Sequence, residues 1–385
     1  MTETAAADPV ALAAELVRAE TVTPDDGVGI ALLETRLAAA GFRCVRCDRG
    51  GVANLFARFG TRGPVLGFNG HTDVVPTGDP AAWSRPPFSG EIAEGRLHGR
   101  GACDMKTGVA AFVAAALDWA EGRDPDAPGS VALLVTGDEE GPSEHGTLAI
   151  LERMAELGEG LDGCVVGEPT SREAFGDMVK IGRRGSLTAR ITARGRQGHT
   201  AYPHRALNPL PALAQLCARL AAAELDQGTE HFEPSTLALA SIDTGNPASN
   251  VIPAEAAAVL NVRFNDRHDG AALRRWLEAE AARAAEETGV ALSVATRVSG
   301  EAFLTPPGPL SDALSNAIEA ETGRRPELST SGGTSDARFV KAICPVAEFG
   351  LVGLTMHQTD EWASIEEIEA LARVYRRLID GFTAV

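Results

Sequence analysis

Lysine is nearly missing from this sequence. Only Lys106, Lys180 and Lys341 occur, and arginine carries the rest of the positive charge. Acid outnumbers base by 53 to 35, for a formal net charge of −18. So acidic a chain repels phosphate backbones and anionic lipid, which excludes nucleic acid and membrane surfaces as partners. No run of about 18 apolar residues occurs, which excludes a membrane-spanning helix. The first residues lack a basic stretch followed by an apolar block, so a short tail leading into a helix is expected, not a secretory signal. The cysteines (Cys44, Cys47, Cys103, Cys164, Cys217, Cys344) are few and scattered. A chain this long needs no disulfide staples. Cys44-Val-Arg-Cys47 is a lone CxxC on an expected strand. With no second pair it is no zinc ribbon, and it reads as two plain thiols. A reducing cytoplasm fits this usage.

What is present is an ordinary globular composition, 44% hydrophobic and 23% charged over 385 residues, enough for two domains. Asp8-Pro9 is a helix start, and a second helix over 29–39 closes at Gly41. Short apolar runs at 52–59, 65–68, 131–136 and 164–166 alternate with a helical stretch at 107–120. Runs buried on both faces between helices predict an α/β domain with a largely parallel sheet. Near residue 183 the pattern changes. Residues 186–193 alternate like an exposed antiparallel strand, followed by helix 208–223, strands 236–243 and 256–264, helix 271–288 and strand 291–297. The α/β character then returns with helix 310–322, an apolar run at 344–349 and a final helix over 365–382. The expectation is a catalytic domain in two pieces, 1–183 and 298–385, with an α+β domain of four antiparallel strands and two helices inserted at 184–297.

Chemistry gathers where apolar strands end. Gly67-Phe-Asn-Gly-His71-Thr-Asp73 places a histidine at a strand exit, with Asp73 set to bond its other ring nitrogen. A glycine-rich turn delivers Asp104 just before a long helix; alone, this reads as a helix N-cap. The strand at 131–136 runs into Asp138-Glu139-Glu140, three like charges that cost energy unless a cation neutralises them. Another strand ends in Glu168, and His357 follows the run at 344–349. Such a mixed nitrogen and oxygen donor set suits Zn²⁺, Co²⁺ or Mn²⁺.

Together GHTDVVP, GRGACDMK, GDEEG, GEPT and the late Met356-His357 resemble the metal-dependent M20 peptidase and deacylase family, in the family's order across almost the whole chain. The resemblance implies a zinc-peptidase-like catalytic domain with an inserted lid and dimerisation domain. It implies two divalent metal ions, Zn²⁺ or alternatively Co²⁺: one on His71, Asp104 and Glu168, the other on Asp104, Glu140 and His357, with Asp104 bridging. Glu139 is then the general base, Asp73 supports catalysis, and the Asp104-Met105 peptide is cis.

Later segments resemble the branch of the family that removes succinate from N-succinyl-LL-2,6-diaminopimelate: GRRGS (182–186), GHTAYPH (198–204), Asn250-Val-Ile-Pro253 and TSGGTSDARF (330–339). By that resemblance His199 is an oxyanion donor given to the partner subunit of a homodimer. Tyr202, Asn250, Gly333 and Thr334 match substrate-contacting positions, and Arg183 and Arg263 are expected to hold the substrate's carboxylates by forked bonds. Gly353 departs from the Asn common there. The rival readings are an acetylornithine deacetylase, a broader N-acyl-amino-acid hydrolase, or an inactive metal-binding relative.

Overall fold

Asp8 opens the first helix, Pro9–Arg18, by accepting the backbone N–H groups of Val10 at 2.9 Å and Ala11 at 3.2 Å. The next helix, Val28–Ala39, stops just before Gly41, whose φ of +88° suits glycine far better than a residue with a side chain. Ser364 caps the last helix, Ile365–Thr383, with Glu366 and Glu367 in its positive first turn. The computed structural model describes residues 8–24 and 27–384, so the expected N-terminal tail at residues 1–7 lies outside them.

By internal packing the chain divides into two units. The larger comprises Met1–Ile181, Thr305–Ser329 and Ser335–Val385. Its main sheet has eight strands in the order Arg43–Arg46, Asn54–Phe59, Ser130–Thr136, Val65–His71, Gly163–Val166, Val346–Glu348, Met178–Lys180, Glu327–Ser329. The four central strands run parallel, and the strands on either side of them, Asn54–Phe59 and Met178–Lys180, pair antiparallel to their central neighbours. Parallel neighbours present their carboxyl ends side by side, the usual place for a site in an open α/β sheet. Among these strands Val65–His71 and Ser130–Thr136 are buried throughout, as expected of strands covered on both faces.

Helices Lys106–Ala120 and Ile365–Thr383 cover one face of this sheet. Phe68 of the sheet, Phe112 and Tyr375 form one aromatic cluster, with ring centroids 4.2 Å (Phe68–Phe112) and 4.0 Å (Phe112–Tyr375) apart. The buried Tyr375 hydroxyl donates to the Phe349 carbonyl at 2.5 Å, so its polar end is satisfied. The helix approaches the sheet very closely. A Cβ on Gly108 would lie 2.5 Å from the Gly167 carbonyl oxygen. The turn holding Asp104 and the loop holding Glu168 are therefore pressed together by packing.

The smaller unit comprises Gly182–Leu304 and Thr330–Thr334. Its four antiparallel strands lie in the order Thr236–Asp243, Glu255–Phe264, Gly185–Arg194, Ala291–Gly300. Helices Pro209–Ala221 and Gly270–Thr288 contribute to a core with Leu187, Ile191, Leu260, Leu213 and Leu277. The unit is wider than the expected 184–297 for local reasons. Phe303–Leu304 pairs with Gly182–Arg183. Arg183 Nη1 donates to the Gly333 carbonyl at 3.1 Å, and Thr330 Oγ1 donates to the His231 carbonyl at 2.5 Å.

Candidate metal centre

Three parallel strand ends and two turns of the larger unit deliver the site. His71 is the last residue of its strand, in register with Thr136, after which the acidic loop begins. Glu168 follows the neighbouring strand Gly163–Val166, and His357 lies in the loop after Val346–Glu348. Asp104 is no helix cap. The helix begins at Lys106, its cap position is Met105, and no side chain caps it. The Asp104-Met105 peptide is cis.

Asp104 faces both ways. Its Oδ1 lies 3.3 Å from His71 Nε2, and its Oδ2 lies 3.2 Å from His357 Nε2. His71 Nε2 is also 3.9 Å from Glu168 Oε1, and His357 Nε2 is 2.8 Å from Glu140 Oε1. The donor atoms of His71, Asp104 and Glu168, and those of Asp104, Glu140 and His357, each lie within 4.8 Å of one another. Tetrahedral Zn²⁺ with bonds of about 2.0–2.2 Å spaces its ligands about 3.3–3.6 Å apart, so both groups suit an ion with little movement. His71 Nε2 and Asp104 Oδ1 are buried without a hydrogen-bond partner. Two such atoms aimed at each other are what a cation would satisfy.

The electrostatics point the same way. Burial alone would depress the His71 imidazole, but Asp104, Asp73 and Glu139 overcome it and hold it well above its ordinary value. Hydrogen bonds to Asp104 and Glu140 raise His357 to about 10. Burial, then the Glu168 charge, pushes the Glu139 carboxyl well up. The crowded carboxylates thus favour positive charge beside them. Divalent ions would supply that charge instead.

The three consecutive acids divide their work. Asp138 is turned into the protein, where its carboxylate accepts the N–H groups of Ser143 at 3.2 Å, Glu144 at 3.0 Å and His145 at 3.0 Å. It staples the loop, leaving Glu139 and Glu140 facing the site. Asp73 meets the second ring nitrogen of His71 through its main chain. Its main-chain carbonyl takes His71 Nδ1 at 2.9 Å, while its Oδ1 stands 3.6 Å away. The carboxylate instead accepts the amides of Glu139 and Glu140, because the acidic loop presents two N–H groups to it.

The other expected site residues lie in the smaller unit, in two groups. His199 is exposed on the short strand Gly198–His199, opposite Val251. Its ring lies 5.7 Å from that of Tyr202, and the Asn250 carbonyl accepts Thr200 N–H at 3.1 Å, so His199, Tyr202 and Asn250 share one corner. The second group is Arg183 with Gly333 and Thr334. Arg263 stands near Arg184; burial and then that like charge lower its guanidinium below the usual value. Gly353 stays in the larger unit, where an added Cβ would meet the Pro169 carbonyl oxygen at 3.4 Å.

Sequence reading missed Glu361 and Arg100, buried beside Asp104, and the chain Asn69–Thr147–Asp336, joined by hydrogen bonds of 3.1 and 2.7 Å. Arg100 and Asp336 stand inside quoted motifs, and Glu361 stands four residues after His357.

The chain is 62% identical over 379 residues to a succinyl-diaminopimelate desuccinylase of Cereibacter sphaeroides, covering 98% of this chain and 99% of that protein. A tripeptidase from Staphylococcus aureus shares the fold with a TM-score of 0.80 at 17% identity, over 98% of both chains. So does a dinuclear metal binding peptidase of the M20 family from Bacillus subtilis, with a TM-score of 0.71 at 15% identity over 96% of both chains. The family model for peptidase family M20/M25/M40 matches residues 67–381, and the chain belongs to that family.

Proposed function

We propose that this chain is a two-metal amide hydrolase that cleaves N-succinyl-LL-2,6-diaminopimelate to succinate and LL-2,6-diaminopimelate, a step toward lysine and meso-diaminopimelate. The observation that carries the chemistry is Asp104, whose two oxygens face two separate histidine–carboxylate groups. The full-length 62% identity to a succinyl-diaminopimelate desuccinylase supports the substrate.

His71, Asp104 and Glu168 would hold one ion, and Asp104, Glu140 and His357 the other. Zn²⁺ suits the donors best, and Co²⁺ is the alternative. Bound there, such ions acidify a water and polarise the amide carbonyl. Glu139 takes the proton of the attacking water and returns it to the leaving amine. Asp73 fixes the tautomer of His71 through its carbonyl and holds the loop of Glu139 through its carboxylate.

In the smaller unit His199 serves as the oxyanion donor to the partner subunit of a homodimer, and the unit acts as lid and dimerisation domain. Arg183 and Arg263 hold the substrate carboxylates, and Tyr202, Asn250, Gly333 and Thr334 complete the contacts. At −18 net charge, an anionic substrate needs such a local basic group. The enzyme works in the cytoplasm, in line with its free thiols.

The test is kcat/KM on N-succinyl-LL-2,6-diaminopimelate and on N-acetylornithine with the zinc-loaded enzyme. The succinyl substrate is expected to win by at least about 100-fold, the discrimination a site built for a charged group can reach. Equal rates, or a preference for acetylornithine, would remove the specificity assignment.

A further inference from the structure

We infer that Glu361, together with Arg100, is a positioning residue that fixes the turns carrying Asp104 and His357 around one buried ion pair. The inference rests on the two-metal reading above.

Glu361 is only 1% exposed, and Arg100 3%. Glu361 Oε1 accepts two successive backbone amides, Cys103 at 2.8 Å and Asp104 at 3.1 Å. The amide of Asp104 itself is therefore bound to this carboxylate. Glu361 Oε2 receives Arg100 Nη1 at 2.6 Å. Its main-chain carbonyl accepts Gly99 N–H at 2.9 Å. A single glutamate thus holds the glycine-rich turn at both ends, before and after its bend.

Arg100 extends the clamp to the other ligand loops. Nη1 also donates to the Gln358 carbonyl at 3.1 Å, next to His357, and Nη2 reaches the Pro76 carbonyl at 3.5 Å, on the exit from His71 and Asp73. The loop it grips is strained. His357 and Asp360 adopt φ of +63° and +59°, a region that residues other than glycine rarely occupy. Asp360 Oδ1 accepts Ser84 N–H at 2.7 Å, and Glu361 closes the turn on the far side. Backbone held in such a conformation needs surrounding bonds that over-determine it, and these supply them. The pair's charge is spent inside the protein and its groups touch neither His71 nor His357 directly. Its work is to set where Asp104 and His357 point.

The test is zinc affinity of the intact protein, measured by competition with a chromophoric chelator, alongside kcat, KM and the melting temperature of the metal-free form. Glu361→Gln keeps the size but cannot offer charged oxygens to both amides and Arg100. It is expected to bind zinc about 10–100-fold more weakly, as when groups supporting metal ligands are lost. At saturating zinc, kcat falls while KM is nearly unchanged. Arg100→Lys keeps Glu361 paired but loses the fork to Gln358 and Pro76, and is expected to weaken zinc binding less. It decides the matter if Glu361→Gln does not fold. Wild-type zinc affinity in the folded variants, with only a lower melting temperature, overturns the inference and leaves Glu361 a plain buried ion-pair residue. A wild-type protein that binds no zinc overturns the two-metal reading instead, so the two failures are distinct.

Discussion

The Glu139 backbone amide donates to Asp73 Oδ1 at 3.2 Å, tying the proposed base to the residue whose carbonyl orients His71. The Glu140 amide donates to Oδ2 of the same carboxylate at 3.1 Å. One buried aspartate thus spaces the loop of His71, a candidate metal ligand, against the loop that holds the proposed base.

Asp73→Asn should break this arrangement. An amide has one acceptor oxygen where the carboxylate has two, so one N–H keeps its acceptor and the other meets a repelling NH₂ in place of its own. The expected result is a fall of about 10–100-fold in kcat/KM with the fold retained, read by steady-state kinetics and far-ultraviolet circular dichroism. Unchanged kinetics would show that the spacing of these loops is held elsewhere.

Metal removal should abolish hydrolysis. It should also lower the melting temperature, because ions that bind only the folded state stabilise it by mass action. Dialysis against a chelator, followed by titration with ZnCl₂, is expected to restore activity as about two equivalents per chain are added. Full activity in the chelated protein would remove the metal from the mechanism.

The six thiols should be quiet. Burial, helped by the Glu34 charge, raises Cys44 to about 11, and burial with Asp162 raises Cys344 to about 12. A raised thiol pKa means less thiolate at neutral pH and a rate that climbs toward alkaline pH. Cys44, the one that is partly exposed, should react with a thiol reagent at pH 7.5 about 100-fold more slowly than a free cysteine. Rapid modification of Cys44 or Cys47 at that pH would reopen the question of a role for the CxxC.

Much of the site was legible because strand ends are legible. Apolar runs that stop at His71, Glu139, Glu140 and Glu168 mark where buried sheet meets the site, and parallel pairing brings those ends together. Asp104 was not legible locally, since an acid before a helix reads as a cap; only the set of motifs marks it as a candidate ligand. That Asp73 meets His71 through its carbonyl and the acidic loop through its carboxylate is something no side-chain pattern reveals, since both contacts involve the main chain. Glu361 was missed for a similar reason: it binds amides 258 and 257 residues away in the chain. The grouping of Thr330–Thr334 with the smaller unit depends on bonds to Arg183 and His231 that span 150 and 99 residues of sequence.

Gly353 offers a check on specificity. Its φ is not positive, and a Cβ there meets its nearest atom at 3.4 Å, an ordinary contact. Gly353→Asn is therefore expected to fold with a melting temperature close to the parent and to keep its preference for the succinyl substrate. A switch toward N-acetylornithine in this variant would show that position 353 sets the acyl preference.

The central claim is that Glu139 moves the proton while five other side chains hold metal. Glu139→Gln, loaded with zinc, tests it most directly. The account predicts about two zinc ions per chain, bound as tightly as in the parent, with kcat lower by about 10²–10⁴-fold. Turnover at the parental rate with the metal in place would contradict it.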